Sequence, residues 1–187
     1  MYVHKDVRTI NRAVFLDRDG VINEILTKRV KFVNEPADFY ILKGVPEAIK
    51  QINDAGFYVF VVTNQGGIGL GFLKEEMLLR IHHKMISELK EKGARIDDVA
   101  YCAHKPNAGC LCRKPGTQML IELANTYNIN LNHSVMVGDR EPDIEAGKAA
   151  GCKTVLVGER IQKRVRANAM FQTLQEATAW ILNELQQ

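Results

Sequence analysis

Short apolar runs alternate along the chain with longer stretches in which apolar residues recur every three or four positions. The runs predict five buried strands, at 13–16, 57–62, 99–102, 134–137 and 154–157. The periodic stretches predict helices at 46–55, 73–92, 116–128, 142–150 and 174–185. A short edge strand is also expected at 169–171. Strands that alternate with helices are typical of βαβ units, so the pattern predicts a doubly wound, mainly parallel α/β sheet with helices on both faces.

Polar residues follow several of these strands. Asp17 and Asp19 follow the first strand, Thr63 and Asn64 the second, and Asp139 the fourth. Ligands of parallel sheets bind beyond the carboxyl ends of the strands, so we expect these side chains at one edge. The irregular stretch 23–40 predicts a flap over that edge. The flap and the glycine-rich loop 66–71 would stand where a larger cap domain could be.

Composition narrows the class of protein. The 187 residues carry 25 Lys and Arg against 22 Asp and Glu, a net charge of +3. This balance gives no general case for nucleic-acid binding. The sequence has no apolar run long enough to span a membrane and no apolar segment typical of a signal peptide near Met1. We therefore expect a single cytoplasmic domain over 1–187. We also expect a monomer, because large cap elements often form dimers and none is predicted here.

The sequence Asp17-Arg18-Asp19-Gly20 has the clearest chemistry. Two carboxylates two residues apart at a strand end can share a hard cation such as Mg²⁺. One carboxylate can attack phosphorus, and the other can give and take the proton. Alone, this sequence is equally typical of an acidic turn without function.

Residues further along the chain favour the chemical interpretation. Thr63 offers a hydroxyl and Asn64 an amide to a phosphoryl group, and Lys114 offers a cation for the charge that develops there. Asp139 offers a further carboxylate. The order of DxDG, TN, Lys and GDxxxD resembles that of the haloacid dehalogenase (HAD) superfamily.

The resemblance implies a Rossmann-like HAD core and a role for each matched residue. It makes Asp17 the nucleophile and Asp19 the general acid and base, with Thr63 and Lys114 on the phosphoryl group. It also implies Mg²⁺ on Asp17, Asp19 and Asp139. Asp143 completes GDxxxD, and we expect it to contact the residues that bind the metal without binding the metal itself. The alternative is an acidic residue in the first turn of a helix, where such residues are common.

A second motif predicts another metal. Three cysteines and one histidine fall within eleven residues: Cys102, His104, Cys110 and Cys112. Three thiolates and an imidazole form a closed tetrahedral Zn²⁺ site, which would be structural. The alternative is three buried thiols and an exposed histidine. Cys152 is predicted to be a core thiol.

The zinc motif runs directly into Arg113-Lys114-Pro115. This arrangement, with DRDGVIN and TNQGGIGLGF elsewhere, resembles the heptose 1,7-bisphosphate phosphatase group and the related histidinol-phosphatase domain. It implies a Mg²⁺-dependent phosphomonoester hydrolase acting on a small phosphorylated sugar, at the 7-phosphate of the heptose bisphosphate, or alternatively on histidinol phosphate. A receiver domain and a non-catalytic zinc module are disfavoured, because the DxD motif and every expected catalytic residue are present.

The substrate-binding residues follow from the resemblance and from the basic flap segment 27–31. The expected contacts are Arg18, Arg29, Val30, Lys31, Phe32, Asn64, Gln65, Gly66 and Arg113. The guanidinium of Arg113 suits a phosphate or a pair of hydroxyls. For the flap residues, a solvated basic loop is the alternative.

Overall fold

The computed structural model describes residues 11–158 and 165–186. Its centre is a six-stranded sheet in the order β3-β2-β1-β4-β5-β6, in which every neighbouring pair is parallel. The strands are β1 (Ala13–Leu16), β2 (Tyr58–Asn64), β3 (Asp98–Cys102), β4 (Val135–Gly138), β5 (Lys153–Val157) and β6 (Ala169–Phe171). The carboxyl ends of β1, β2 and β4 therefore lie side by side, as the sequence predicts.

Within the described residues five α-helices cover the sheet: α1 (Val45–Asp54), α2 (Glu75–Glu91), α3 (Gln118–Tyr127), α4 (Glu141–Ala149) and α5 (Leu174–Gln186). Each lies within two residues of its predicted bounds. None of the helices in the described part of the chain is long and apolar enough to cross a membrane.

Alternate residues of the strands enter two separate cores. On β1, Val14 and Leu16 pack with apolar residues of α1, α2 and α5, whereas Ala13 and Phe15 face α3 and α4. All four β1 side chains are inaccessible to solvent. A parallel strand that is covered on both faces is apolar at every position, which is why the first predicted strand shows no alternation.

The strand β2 continues two residues beyond its predicted end. Thr63 pairs with Tyr101 and Asn64 with Cys102, so both polar residues belong to the sheet itself. Ladder pairing with β3 outweighs the polar character of the two side chains. Their positions are consequently fixed by the sheet and not by a loop.

The predicted flap, residues 23–40, crosses the edge of the sheet and contains one short 3₁₀ helix, Pro36–Asp38. An antiparallel bridge joins Asn23 to Ile41 at its base. The Lys84 ammonium of α2 donates to the Pro36 carbonyl at 2.7 Å. The bridge thus joins the two ends of the flap, and the Lys84 contact attaches the flap to α2.

Candidate active site

Lys114 joins the elements that meet at the carboxyl edge of the sheet. Its side chain is buried, and its Nζ donates to Asp17 Oδ1 at 2.8 Å, to the Val62 carbonyl at 2.7 Å and to Asp143 Oδ1 at 2.6 Å. An ammonium has three protons, so these contacts use its full donor capacity. The structure therefore places the predicted cation directly against the predicted nucleophile.

The charges at this point perturb one another strongly. Burial raises the pKa of Asp17 to about 7, with Asp143 and Asp19 adding to the effect and Lys114 opposing it. Burial acts to lower the pKa of Lys114, but the Asp143 and Asp17 carboxylates raise it above its usual value. Lys114 is therefore charged at neutral pH, and a further cation would favour the ionised form of Asp17.

Asp17, Asp139 and Asp143 form a carboxylate cluster whose oxygens lie within 4.8 Å of one another. Burial, with Asp143 adding to it, raises the pKa of Asp139 to about 6. Within the described residues Asp139 Oδ1 is buried without a hydrogen-bond partner. An unpaired buried oxygen among oxygen ligands fits a hard divalent cation such as Mg²⁺.

Gly20 allows this cluster to form. Its φ is 93°, and a Cβ at this position would lie 2.4 Å from Asp139 Oδ2. Both the left-handed conformation and the close approach exclude a larger side chain. The glycine of DxDG therefore brings the loop after β1 against the loop after β4.

Asp19 is held apart from the carboxylate cluster. Arg18 Nε and Nη2 donate to its carboxylate at 2.9–3.1 Å, Asn23 donates at 3.0 Å and Gln65 at 3.1 Å. Burial acts to raise the pKa of Asp19, but the Arg18 guanidinium and these donors hold it below its usual value. The predicted place of Asp19 among the magnesium ligands stays a prediction.

The two polar residues at the end of β2 have different surroundings. Thr63 is buried, and its Oγ1 accepts from Gln65 Nε2 at 2.8 Å. Asn64 donates to the Lys114 carbonyl at 3.0 Å and accepts from the Lys114 backbone N–H at 2.9 Å. Thr63 is thus bonded to Gln65 and lines the cavity above the site, while the amide of Asn64 holds the backbone of Lys114.

A cavity of about 820 Å³ opens above these residues. Its lining includes most of the predicted catalytic and binding residues: Asp17, Arg18, Asp19, Phe32, Thr63, Asn64, Gln65, Gly66, Arg113 and Lys114. Arg140 and Asp143 also line it. We call it the active-site cavity.

Arg140 is a basic residue of this cavity that the sequence analysis does not select. It follows Asp139 directly, and its Nε lies 3.6 Å from Asp139 Oδ2. Its side chain is half-exposed. The signal that could have found it is a basic residue directly after a strand-end carboxylate.

The structure places three predicted flap contacts outside the lining of the active-site cavity. The Arg29 guanidinium pairs with Glu24 and lies 3.9 Å from the centre of the Tyr40 ring. Val30 is buried, and the Lys31 ammonium lies 5.9 Å from the Phe32 ring. Of the flap residues selected from the sequence, the cavity includes only Phe32.

The predicted zinc ligands come together as one cluster. The Sγ atoms of Cys102 and Cys112 are 3.1 Å apart, those of Cys102 and Cys110 are 3.7 Å apart, and His104 Nδ1 is 3.2 Å from Cys112 Sγ. Tetrahedral zinc with Zn–S bonds near 2.3 Å separates its ligands by about 3.8 Å. Burial and the Cys112 contact raise the pKa of the Cys102 thiol to about 12. The four donors fit one metal ion, which would hold the three cysteines as thiolates and His104 as a neutral imidazole.

This Cys/His loop, residues 102–112, supports the wall of the active-site cavity. The Gln65 N–H donates to the Cys102 carbonyl at 2.8 Å, and the Gly69 N–H donates to Ala103 at 2.9 Å. A Cβ on Gly69 would lie 2.4 Å from the Lys105 nitrogen. The two loops therefore pack backbone to backbone, and the order of one depends on the other.

The fold and this site define a hydrolase of the HAD type. A family model described as HAD-hydrolase-like matches residues 111–187. Among curated proteins, D-glycero-beta-D-manno-heptose-1,7-bisphosphate 7-phosphatase of Rhodopseudomonas palustris is 40% identical over 146 residues, which cover 74% of this chain and 79% of the relative. The enzyme of the same name from Yersinia pestis is 36% identical, with 92% of this chain and 90% of the relative covered.

A solved structure gives the same assignment. D,D-heptose 1,7-bisphosphate phosphatase from B. bronchiseptica, in complex with magnesium and phosphate, superposes with a TM-score of 0.83 at 30% identity, covering 92% of this chain and 99% of that one. This chain belongs to the family of HAD-like phosphatases that includes the D-glycero-D-manno-heptose-1,7-bisphosphate 7-phosphatases.

Proposed function

We propose that the protein is a Mg²⁺-dependent phosphomonoesterase that works through an aspartyl-phosphate intermediate on Asp17. The observation that supports this most directly is the carboxylate of Asp17, which lies 2.8 Å from the Lys114 ammonium beneath the active-site cavity. The ammonium and a cation in the carboxylate cluster both favour the ionised carboxylate, which is the nucleophilic form.

In the first step an Asp17 oxygen attacks phosphorus, and the bond from phosphorus to the ester oxygen breaks. The leaving oxygen takes a proton from Asp19 and departs as an alcohol. Lys114 and the Thr63 hydroxyl balance the charge on the phosphoryl oxygens. When bound by Asp17, Asp139 and Asp143, with Asp19 as a further predicted ligand, Mg²⁺ would supply positive charge beside the phosphoryl group.

In the second step water attacks phosphorus, and the bond between phosphorus and the Asp17 oxygen breaks. Asp19 takes the proton of that water, which regenerates its acid form and releases inorganic phosphate. The donors that surround Asp19 favour its ionised form, which accepts the proton in this step. The first step requires the protonated form, and the negative charge of a bound phosphate ester would favour it by raising the pKa of Asp19.

The Cys/His loop is proposed to bind one structural zinc ion. All four ligands come from the protein, so the site leaves no position for a reacting water. Its role would be to hold the backbone of 102–112, which packs against the glycine-rich loop and leads into Arg113 and Lys114.

As substrate we propose D-glycero-D-manno-heptose 1,7-bisphosphate, with the 7-phosphate removed. Two observations support a bisphosphate: the names of the relatives, and the presence of Arg113 and Arg140 in the cavity beyond the cations of the reacting centre. Curated relatives are named for both anomers; the enzyme of Photorhabdus laumondii, 33% identical over 86% of this chain and 93% of its own, is named for the alpha form. Histidinol phosphate, the alternative from the sequence, carries one phosphate and would leave these arginines without a second anion.

The proposal is tested with purified protein and Mg²⁺ on both heptose bisphosphate anomers, the heptose 7-phosphate and histidinol phosphate. We expect the highest kcat/KM for a bisphosphate anomer. Asp17→Asn, which is nearly isosteric, should lower kcat by at least about 10³-fold, or about 4 kcal/mol in barrier. An unchanged melting temperature controls for folding. Turnover by Asp17→Asn within tenfold of the parent would exclude the aspartyl-phosphate route, and a preference for histidinol phosphate would exclude the proposed substrate.

A further inference from the structure

Arg18 is a charged residue buried deep in the site, with 1% of its surface exposed. Its Nε and Nη2 contact Asp19, and its remaining nitrogen, Nη1, lies 3.3 Å from His82 Nε2. A guanidinium has donors but no acceptor. The His82 Nε2 must therefore accept, which fixes a neutral imidazole with its proton on Nδ1.

The imidazole of His82 is itself fixed from a second direction. His82 lies on α2 and is 5% exposed. Its ring stands edge-on to the ring of Tyr101, on β3, with 5.7 Å between centres. Tyr101 in turn donates its hydroxyl to Glu75, at the start of α2, at 2.6 Å. A helix and the sheet thus hold the ring in one orientation towards Arg18.

We propose that His82 is a positioning residue for the hydrolysis: its Nε2 orients the Arg18 guanidinium, which in turn sets the position of the Asp19 carboxylate. This inference rests on the proposed function in one respect, the role of Asp19 as the proton donor and acceptor. His82 itself touches neither substrate nor reacting atoms.

The physical reason is the cost of an unpaired donor in a buried site. If the acceptor is removed, Nη1 loses its partner in a place that water reaches poorly, and the guanidinium turns towards another acceptor. The Asp19 carboxylate follows because it shares two guanidinium nitrogens. Small displacements of a proton-transferring group reduce the rate strongly.

Two aryl phosphates reveal whether proton delivery is affected. Phenyl phosphate releases a basic phenolate that needs a proton, whereas p-nitrophenyl phosphate releases a weakly basic anion that does not. The quantity to compare is kcat/KM, which reports the steps up to release of the phenol. His82→Leu should lower kcat/KM by about tenfold or more for phenyl phosphate, the loss of one hydrogen bond to a charged group. The loss for p-nitrophenyl phosphate should be much smaller.

His82→Gln is the conservative variant, because its amide oxygen can accept from Arg18 at a similar distance, and it should restore most of the phenyl phosphate activity. His83→Leu, at the exposed neighbouring position of α2, is the matched control and should leave kcat/KM unchanged for both substrates. Equal losses on both substrates, or no rescue by glutamine, would reduce His82 to a packing residue and overturn the inference.

A readout without turnover covers the case in which His82→Leu does not fold. Nitrogen-15 NMR of the imidazoles in the wild-type protein at neutral pH should show His82 with an unprotonated Nε2 and a protonated Nδ1. A protonated Nε2 would overturn the inference. Failure of the proposed function is recognised separately, by turnover that survives in Asp17→Asn.

Discussion

Asn64 and Lys114 bind each other reciprocally, side chain to backbone. The amide nitrogen of Asn64 donates to the Lys114 carbonyl at 3.0 Å, and its amide oxygen accepts from the Lys114 N–H at 2.9 Å. The pair connects the end of β2 to the segment that leaves the Cys/His loop. The position of the Lys114 ammonium against Asp17 therefore depends on a residue that the sequence presents only as a phosphate ligand.

Asn64→Ala should accordingly destabilise the backbone of Lys114 and displace its ammonium. The change leaves two backbone groups of Lys114 without partners, so we expect a loss of about 1–3 kcal/mol in the free energy of unfolding. It should also lower kcat, because the ammonium is no longer held between Asp17 and Asp143. Urea unfolding and steady-state kinetics measure the two effects.

Asn183→Ala, at an exposed position of α5, is the control for replacing an asparagine. If Asn64→Ala raised KM while kcat and stability stayed at the parent level, the amide would bind substrate instead of positioning Lys114.

The fold and the location of the site could be predicted from the sequence for a simple reason. Strands that are buried on both faces are apolar at every position, so the first polar residue after each strand marks the carboxyl edge of the sheet. Asp17, Thr63 and Asp139 were found in this way, and their convergence follows from parallel topology alone. The close spacing of Cys102, His104, Cys110 and Cys112 likewise needed no knowledge of the fold.

The contacts between these residues could not be predicted, because they depend on side-chain direction. Arg18 lies between two predicted catalytic residues, yet its guanidinium turns back on Asp19 and into α2. Arg29 was selected for its charge and its place on the flap, but its guanidinium contacts Glu24 and Tyr40, and it is not among the residues that line the cavity. Arg140 enters the cavity through the turn between β4 and α4, which the pattern of apolar residues does not describe.

Burial of His82 should make the stability of the protein depend on pH. Burial, with the Arg18 charge adding to it, lowers the pKa of His82 from 6.5 to about 4. Between these values the unfolded chain binds a proton that the folded chain does not. The contribution of His82 is therefore fully present above pH 6.5 and is lost as the pH falls towards 4, by about 3 kcal/mol in all.

The measurement is urea unfolding of the parent and of His82→Gln from pH 7 to pH 4. The difference in unfolding free energy between them should change by about 3 kcal/mol over this range, in favour of the variant at the acidic end. His83→Gln reports the effect of replacing an exposed imidazole of the same helix. A difference for His82→Gln that stays constant with pH would show that the imidazole is not held neutral.

The Cys/His loop should bind about one zinc ion per chain when the protein is purified reduced and without chelator. Cys110→Ala removes a ligand, so the zinc content should fall and the glycine-rich loop should lose its support. Activity should decrease as zinc is lost, because the Cys/His loop leads into Lys114. Elemental analysis, a thermal melt and a phosphatase assay measure the three effects.

Cys152→Ala provides the matched control, since this cysteine is buried and far from the cluster in sequence. The Cys152→Ala protein should keep its zinc, whether or not its melting temperature changes. A parent protein without zinc, or equal zinc in both cysteine variants, would contradict the proposed metal site.

Arg113 and Arg140 are expected to recognise the second phosphate of a bisphosphate. Both line the active-site cavity, and neither is among the residues proposed to act on the reacting phosphoryl group, which are Asp17, Thr63 and Lys114. A lost hydrogen bond to a charged group costs about 1.5–3 kcal/mol, or about 10- to 150-fold. Arg113→Ala and Arg140→Ala should each lower the ratio of kcat/KM for the heptose 1,7-bisphosphate to that for the 7-phosphate by this factor.

Arg29→Ala tests whether the flap contributes to this recognition, in the same assay. Because its guanidinium lies against Glu24 and Tyr40, this variant should leave the ratio unchanged, whereas a ratio lowered only by Arg29→Ala would move recognition of the second phosphate to the flap.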